Sequence, residues 1–362
     1  IWLAIAGLGL GAAIKMMGVW FDVLRWAGAL YLMWLAVKLF RSNGDLAVAV
    51  DRARPRGSFF LQGFVVIMSN PKMLVLFGAL IGTLGVFIFF AIFGGVTFLQ
   101  PGGMASWMNV AANLGLIAIP VGLLMIAGEL DISVGAMVPF GAMTVAVISG
   151  HYGQSIWLGV AVTMAFGLIV GLINGYMVVK TAVPSLIVTL GSLFAVQGIV
   201  LGLTVLITKS TSVALTVEGP AKAIFGDFVL GGQVQVMVIW WLAVTAAYIL
   251  FVHFSRYGNW IFAMGGDKVS ARNAGIPTER MTILLFVLSS TSAAFVGMCQ
   301  AILYNSAQVA GGQSFIFNSI ISVVVGGVLL TGGFGSVVGI FFGTITFAIV
   351  NVLPEPVTPK RV

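Results

Sequence analysis

Apolar runs of about 18 residues or more recur along this whole chain, each long enough to cross roughly 30 Å of hydrocarbon. Inside a bilayer no water satisfies the backbone, so a spanning chain must be helical or close into a barrel. The runs are continuous rather than alternating, and that decides for helices. Composition agrees, with 60% hydrophobic residues and only 7% charged, where a soluble domain carries about 25% charged. The fold class that follows is all-α, a polytopic transmembrane helical bundle of about 12 spans.

The formal net charge is +7. Its basic residues are scattered at span ends, as positive-inside topology requires, which excludes a nucleic-acid surface. The lone cysteine, Cys299, excludes an intrachain disulfide. The first apolar run leads straight into further spans, so no cleavable signal peptide is expected. The chain opens on Ile1 rather than Met, and its natural start is expected upstream.

Two characters divide the chain. Residues 1–82 carry eight Lys and Arg against three Asp and Glu. They hold candidate spans at 1–19 and 23–40, a basic loop with Arg41, Arg52, Arg54 and Arg56, and a third span from about Phe59. Asn70-Pro71 should break that third helix, because proline lacks a donor and pushes its predecessor out of the helical region. The stretch Trp26-Ala27-Gly28-Ala29-Leu30-Tyr31-Leu32-Met33-Trp34-Leu35, the run Phe60 to Phe64, Ser69-Asn70-Pro71-Lys72 and Phe77-Gly78-Ala79-Leu80 resemble part of the LysE/RhtB amino-acid exporters. The resemblance covers only the middle of such a protein and implies a fused remnant.

From about Leu84, apolar runs at 84–99, 110–128, 134–149, 156–179, 184–207, 234–254, 281–303, 318–331 and 334–353 make about nine spans. Residues 83–353 form this second region, and 354–362 a polar, proline-rich tail that cannot span. Lys180 and the basic stretch 256–280 belong on the cytoplasmic side, and the 208–233 connection outside. Within 256–280, Asp267 to Ala274 reads as one short polar helix. Gly167, Gly171 and Gly175 fall at i, i+4, i+8, as do Gly335, Gly339 and Gly343, and each set offers a ridge for close helix packing.

Glu129 and Asp131 are the charges most out of place, lying between two apolar runs with almost no spacer. Two readings are compatible: Asp131, with Ser133, starts and caps the next helix, or the pair marks a broken helix on a substrate path. Asn113, Asn174, Gln197, Gln300, Asn305, Gln308 and Asn318 are amides in apolar surroundings. Amides both donate and accept, which suits a hydroxylated ligand, and they also bind helix to helix. The translocation path is therefore expected at Glu129, Asp131, Ser133, Asn174, Gln300 and Asn305. No metal-ligand spacing and no nucleophile–base pattern occurs, so neither a metal site nor a catalytic residue is expected. Thr208-Lys209-Ser210 imitates the end of a phosphate loop but lacks its glycines. ATP chemistry would have to come from another polypeptide.

Gly128-Glu129-Leu130-Asp131-Ile132-Ser133-Val134-Gly135 matches a Gly-x-Asp-Leu-Ser-Val-Gly stretch of a known family. Gly258 to Asp267, Ala271-Arg272-Asn273-Ala274-Gly275-Ile276, Val325-Gly326-Gly327 and Gly332-Gly333-Phe334-Gly335-Ser336 follow in the same order and spacing. Residues 84–351 thus resemble the permease subunits of bacterial ABC importers for ribose, xylose and related sugars. The resemblance implies a multi-pass protein of the bacterial cytoplasmic (inner) membrane, surrounded by lipid and paired with a second permease copy or paralogue. Two ATP-binding-cassette ATPase subunits would hold ATP and Mg, and a periplasmic sugar-binding protein would deliver a monosaccharide on the external side, where 208–233 is the expected contact. It implies an ATPase-coupling loop carrying Gly265, Gly266, Asp267, Ala271, Arg272 and Gly275. Such chains continue past the position of Asn351, so a C-terminally shortened permease is expected. The alternative is a secondary amino-acid exporter inherited from residues 1–82.

Overall fold

The structure, a computed structural model, describes residues 71–352 except Gly95 and Ala182. The candidate spans at 1–19 and 23–40, the basic loop, the start of the third span and the tail 354–362 lie outside the described residues. From Gly78 onward the described chain belongs to one compact unit.

Helix α1 is described over Pro71–Phe93, and the break expected at Asn70-Pro71 falls at the edge of the described residues. The short α2 (Val96–Leu99) leads into α3 (Pro101–Ile126), the central element, 89% of whose spanning window is buried. α4 (Val134–Val145) continues through a π-helical turn to His151. α5 (Ile156–Lys180) and α6 (Ser185–Thr208) are only 22% and 28% buried over their windows, with Leu172, Ile173, Leu186 and Ile187 exposed. A helix apolar all round yet uncovered by protein is a lipid-facing one.

After α6 the chain forms β1 (Ser212–Ala214), α7 (Pro220–Phe225), β2 (Phe228–Val229) and β3 (Val234–Gln235), then α8 (Met237–His253). α9 (Arg256–Gly266) leaves α8 at a 75° bend, and α10 (Lys268–Asn273) follows. α11 (Thr278–Tyr304) returns across the bundle to β4 (Ser306–Gln308), which pairs antiparallel with β1. α12 (Gln313–Val325) and α13 (Val337–Asn351) close the described chain.

Each of the nine expected runs is a helix or lies largely in one. Among the described residues six helices are long and apolar enough to cross a membrane, or seven if the bent α8–α9 pair counts as one. The last two runs give helices of only 13 and 15 residues, short of the roughly 20 that a full span needs. Gly327, Gly332 and Gly333 hold positive φ between them, so the chain turns there instead of completing a span.

Small residues set the packing. α5 lies on α11 because a Cβ at Gly171 would meet the Val287 backbone, and one at Gly175 the Ile283 backbone. α13 meets α12 in the same way, Gly343 against Ser322 and Gly339 against Gly326. Gly335 stands ahead of α13, in the turn before the capping residue Ser336, whose Oγ accepts from Gly339 N–H at 2.9 Å.

Candidate functional site

Polar chemistry gathers in two places along α3, beside its middle and at its C-terminal end. Beside the middle four helices each contribute a pair of residues spaced i, i+4, the spacing that puts two side chains on one face. The pairs are Asn109 and Asn113 on α3, Gln300 and Tyr304 on α11, Ser314 and Asn318 on α12, and Phe347 and Asn351 on α13. With Gln235 from β3 they surround a cavity of about 230 Å³. A neighbouring cavity of about 260 Å³ shares Gln300 and Tyr304 and reaches Gln308 and Gly312. No Asp, Glu, Lys, Arg or His lines either one.

Several of these amides are already oriented. Gln300 Nε2 donates to Asn113 Oδ1 at 3.2 Å, and Asn113 Nδ2 donates to Gln235 Oε1 at 2.8 Å. Asn109 fixes the strand carrying Gln235, accepting from its backbone N–H at 2.8 Å and donating to the Gln233 carbonyl at 3.0 Å. This wall can still accept through Gln300 Oε1 and donate through Gln235 Nε2. Such a surface presents neutral hydrogen-bond donors and acceptors and no formal charge.

At the far end of α3 the chain breaks over residues 127–133 before α4. Gly128 takes φ +83°, and Glu129 N–H still reaches the Leu124 carbonyl at 2.9 Å. Three backbones touch here. Gly333 N–H donates to the Ile126 carbonyl at 2.8 Å, and Gly265 lies so close to both that a Cβ would overlap them. Lys268 Nζ meets Glu129 Oε1 at 2.5 Å. α9 and α10, joined at Asp267, thus sit against two helix breaks at once, the one at 127–133 and the glycine turn between α12 and α13.

Behind the break lies a buried polar chain. Asp131 Oδ1 accepts from Ser133 N–H at 2.9 Å and from Ser133 Oγ at 2.6 Å. Asn174 Nδ2 donates to Ser133 Oγ at 3.0 Å, and Ser192 donates to Asn174 Oδ1. Asp131 Oδ2 and the Ser289 hydroxyl are both buried without a hydrogen-bond partner. Ser185 and Thr189 at the start of α6 accept from Leu130 N–H and Ile132 N–H.

The residues expected on a path therefore fall into three places. Gln300 lines the cavity. Glu129, Asp131, Ser133 and Asn174 gather at the break, at the opposite end of the bundle. Asn305 ends α11 in a left-handed conformation, and its side chain accepts from Lys222 Nζ at 3.1 Å. In the segment expected to couple to an ATPase, Asp267 caps α10 by accepting from Ser270 N–H at 2.8 Å. Ala271 is buried, and Arg272 pairs with Glu279, which also meets Lys180 at 3.1 Å. Gly266 is exposed, and Gly275 turns the chain toward α11 with φ +85°. Asn113 and Asn318 were visible as amides in apolar sequence. Asn109 and Gln235 were not singled out, although the i, i+4 partnership of Asn109 with Asn113 was there to be read.

A lipid-embedded helical bundle with a neutral amide cavity at one end and a bent polar segment gripping its helix breaks at the other is a membrane transport subunit. The comparisons with known proteins agree. The family described as "Branched-chain amino acid transport system / permease component" matches residues 103–359, and this chain belongs to it as a multi-pass inner-membrane permease of the ABC importer type. A LysE type translocator pattern matches residues 1–114. The inner membrane ABC transporter permease protein YjfF of Escherichia coli is 30% identical over 233 residues, 64% of this chain and 69% of that protein. The xylose/arabinose import permease protein XylH of Sulfolobus acidocaldarius is 32% identical over 248 residues, 65% of each chain. The ribose import permease protein RbsC of Escherichia coli is 28% identical over 240 residues, 65% of this chain and 72% of that one. The chain thus spans about two thirds of the length of these relatives. No solved structure matches it.

Proposed function

We propose that this chain is the permease subunit through which a neutral monosaccharide of the pentose kind enters the cell. ATP and its Mg²⁺ are held by separate ATPase subunits that grip α9 and α10. A periplasmic binding protein delivers the sugar at the other end, where 208–236 and 305–312 lie, and a second permease copy or paralogue completes the pair.

The observation that carries the reading is the cavity formed by the i, i+4 pairs of α3, α11, α12 and α13. Its free amide and hydroxyl groups donate and accept, as a polyol requires, and Phe315 and Phe347 supply flat apolar surface for sugar C–H faces. An amino acid carries two formal charges, and burying them against an uncharged wall is costly. The cavity therefore favours sugar over the amino-acid alternative raised by residues 1–82. The sugar import permeases among the relatives support the same choice.

The test is uptake of labelled ribose and xylose by vesicles holding the full chain with its ATPase and binding protein. Gln300→Ala or Asn318→Ala should lower uptake about tenfold, the loss of one or two neutral hydrogen bonds in a closed site. Uptake of leucine in place of both sugars, or uptake indifferent to both substitutions, would contradict the assignment.

A further inference from the structure

We infer that the Glu129–Lys268 ion pair is the positioning contact by which the coupling segment pulls on the helix break at 127–133. The inference rests on the transport reading above, since it concerns how motion reaches the cavity.

The contacts between segment and break are of two kinds. Gly265 is packed on the Ile126 carbonyl and on Gly333 with no room for a Cβ. Close packing of this kind resists compression and so passes on a push, while separation is opposed only by the non-directional apolar packing of Ile261 and Met264 in the core. The ion pair does oppose separation. Lys268 is the first residue of α10 and sits immediately after the cap Asp267, so its backbone moves with that helix. Its Nζ lies 2.5 Å from Glu129 Oε1, the Glu129 side chain being 12% exposed and that of Lys268 40%, so the pair is half covered. A pair so covered is screened less than one on the open surface.

What lies beyond Glu129 gives the pull a destination. Residues 127–133 join α3, which carries Asn109 and Asn113, to α4, whose Val138, Pro139 and Ala142 line the second cavity. The rest of the break is anchored elsewhere, to Ser185 and Thr189 of α6 and to Asn174 of α5 through Ser133. Glu129 is thus the charged side chain that ties this break to α10, whereas its neighbours tie it to α5 and α6. Without the pair, ATPase movement would still push on Ile126, but the directed polar tie that draws the break back would be lost.

Vesicles holding the full chain with its ATPase and binding protein test this by the ratio of sugar taken up to ATP hydrolysed. Glu129→Gln and Lys268→Met should each lower that ratio roughly two- to fivefold, the factor that corresponds to a partly covered ion pair. Hydrolysis itself should persist. The exchanged pair, Glu129→Lys with Lys268→Glu, should restore the ratio, which a merely structural loss at either position would not do. If a single variant assembles poorly, Lys268→Arg provides the second reading and should keep the ratio near the parent value. An unchanged ratio in both single variants, or an exchanged pair no better than either, overturns the inference while leaving the transport reading intact. A parent chain that moves no sugar under ATP overturns both.

Discussion

Gly265 and Gly266 stand side by side in the coupling segment, and only one of them is sterically obliged to be glycine. A Cβ at Gly265 would overlap the Ile126 carbonyl and Gly333, whereas nothing lies within 4 Å of one at Gly266, whose φ is ordinary. Gly265→Ala should therefore destabilise the protein by about 1–3 kcal/mol, the usual scale of overpacking. Gly266→Ala, in the last turn of a helix, should be neutral or slightly stabilising. Thermal unfolding of the two variants in detergent checks the contrast, and equal midpoints would contradict it. The glycine doublet was legible in the sequence as a motif. Which glycine carries the constraint was not, because the atoms that crowd it come from two distant segments. The cavity divides in the same way. Asn113 and Gln300 stood out against apolar neighbours, whereas Gln235 is the second residue of the run at 234–254, where an amide reads only as the polar edge of a span.

Among the elements, α9 and α10 show how a polar gap becomes a handle. The sequence pointed to the helix at 267–274. It gave little sign of α9, whose eleven residues include three glycines and whose only pattern is a buried face of Gly258, Ile261 and Met264, spaced three apart. Ser255 starts α9 by accepting from Tyr257 N–H, and Asp267 starts α10. Asp267→Ala should loosen the 268–273 turn by about 1 kcal/mol, while Asp267→Asn, which can still accept, should not. Amide hydrogen exchange of residues 268–273 measures this, and equal protection in both variants would remove the cap from the account. The α5–α11 seam was more openly written. The ridge of Gly167, Gly171 and Gly175 faces Thr291, Val287 and Ile283 in turn. Gly171→Val should separate the two helices at a cost of about 1–3 kcal/mol, seen as a lower unfolding midpoint. For α12 and α13 the apolar runs were legible but their lengths were not, since the glycines between them turn the chain before either crosses.

At the scale of the whole molecule, the amide cavity lies about midway along one buried helix and the expected coupling contact at its C-terminal end. From Asn113 to Ile126 α3 covers about 20 Å at 1.5 Å per residue, and it touches the coupling segment at Ile126 while lining the cavity at Asn113. α12 and α13 repeat this arrangement, with their joining turn at Gly265 and with Asn318 and Asn351 in the cavity. Movement of a short segment at one face can thereby reshape a site at the other by tilting packed helices, as in rigid-body switching. The membrane class followed from the apolar runs alone, and the family from motifs that lie at these helix breaks. The cavity itself is assembled from five separate elements and could be recognised only in three dimensions. The central claim, that an external ATPase drives this permease on behalf of a delivered sugar, is tested most directly by ATP hydrolysis in the purified complex of the full chain with its ATPase. Hydrolysis should rise severalfold when sugar-loaded binding protein is added, and the unloaded form should have a smaller effect. Hydrolysis indifferent to the loaded binding protein would contradict it.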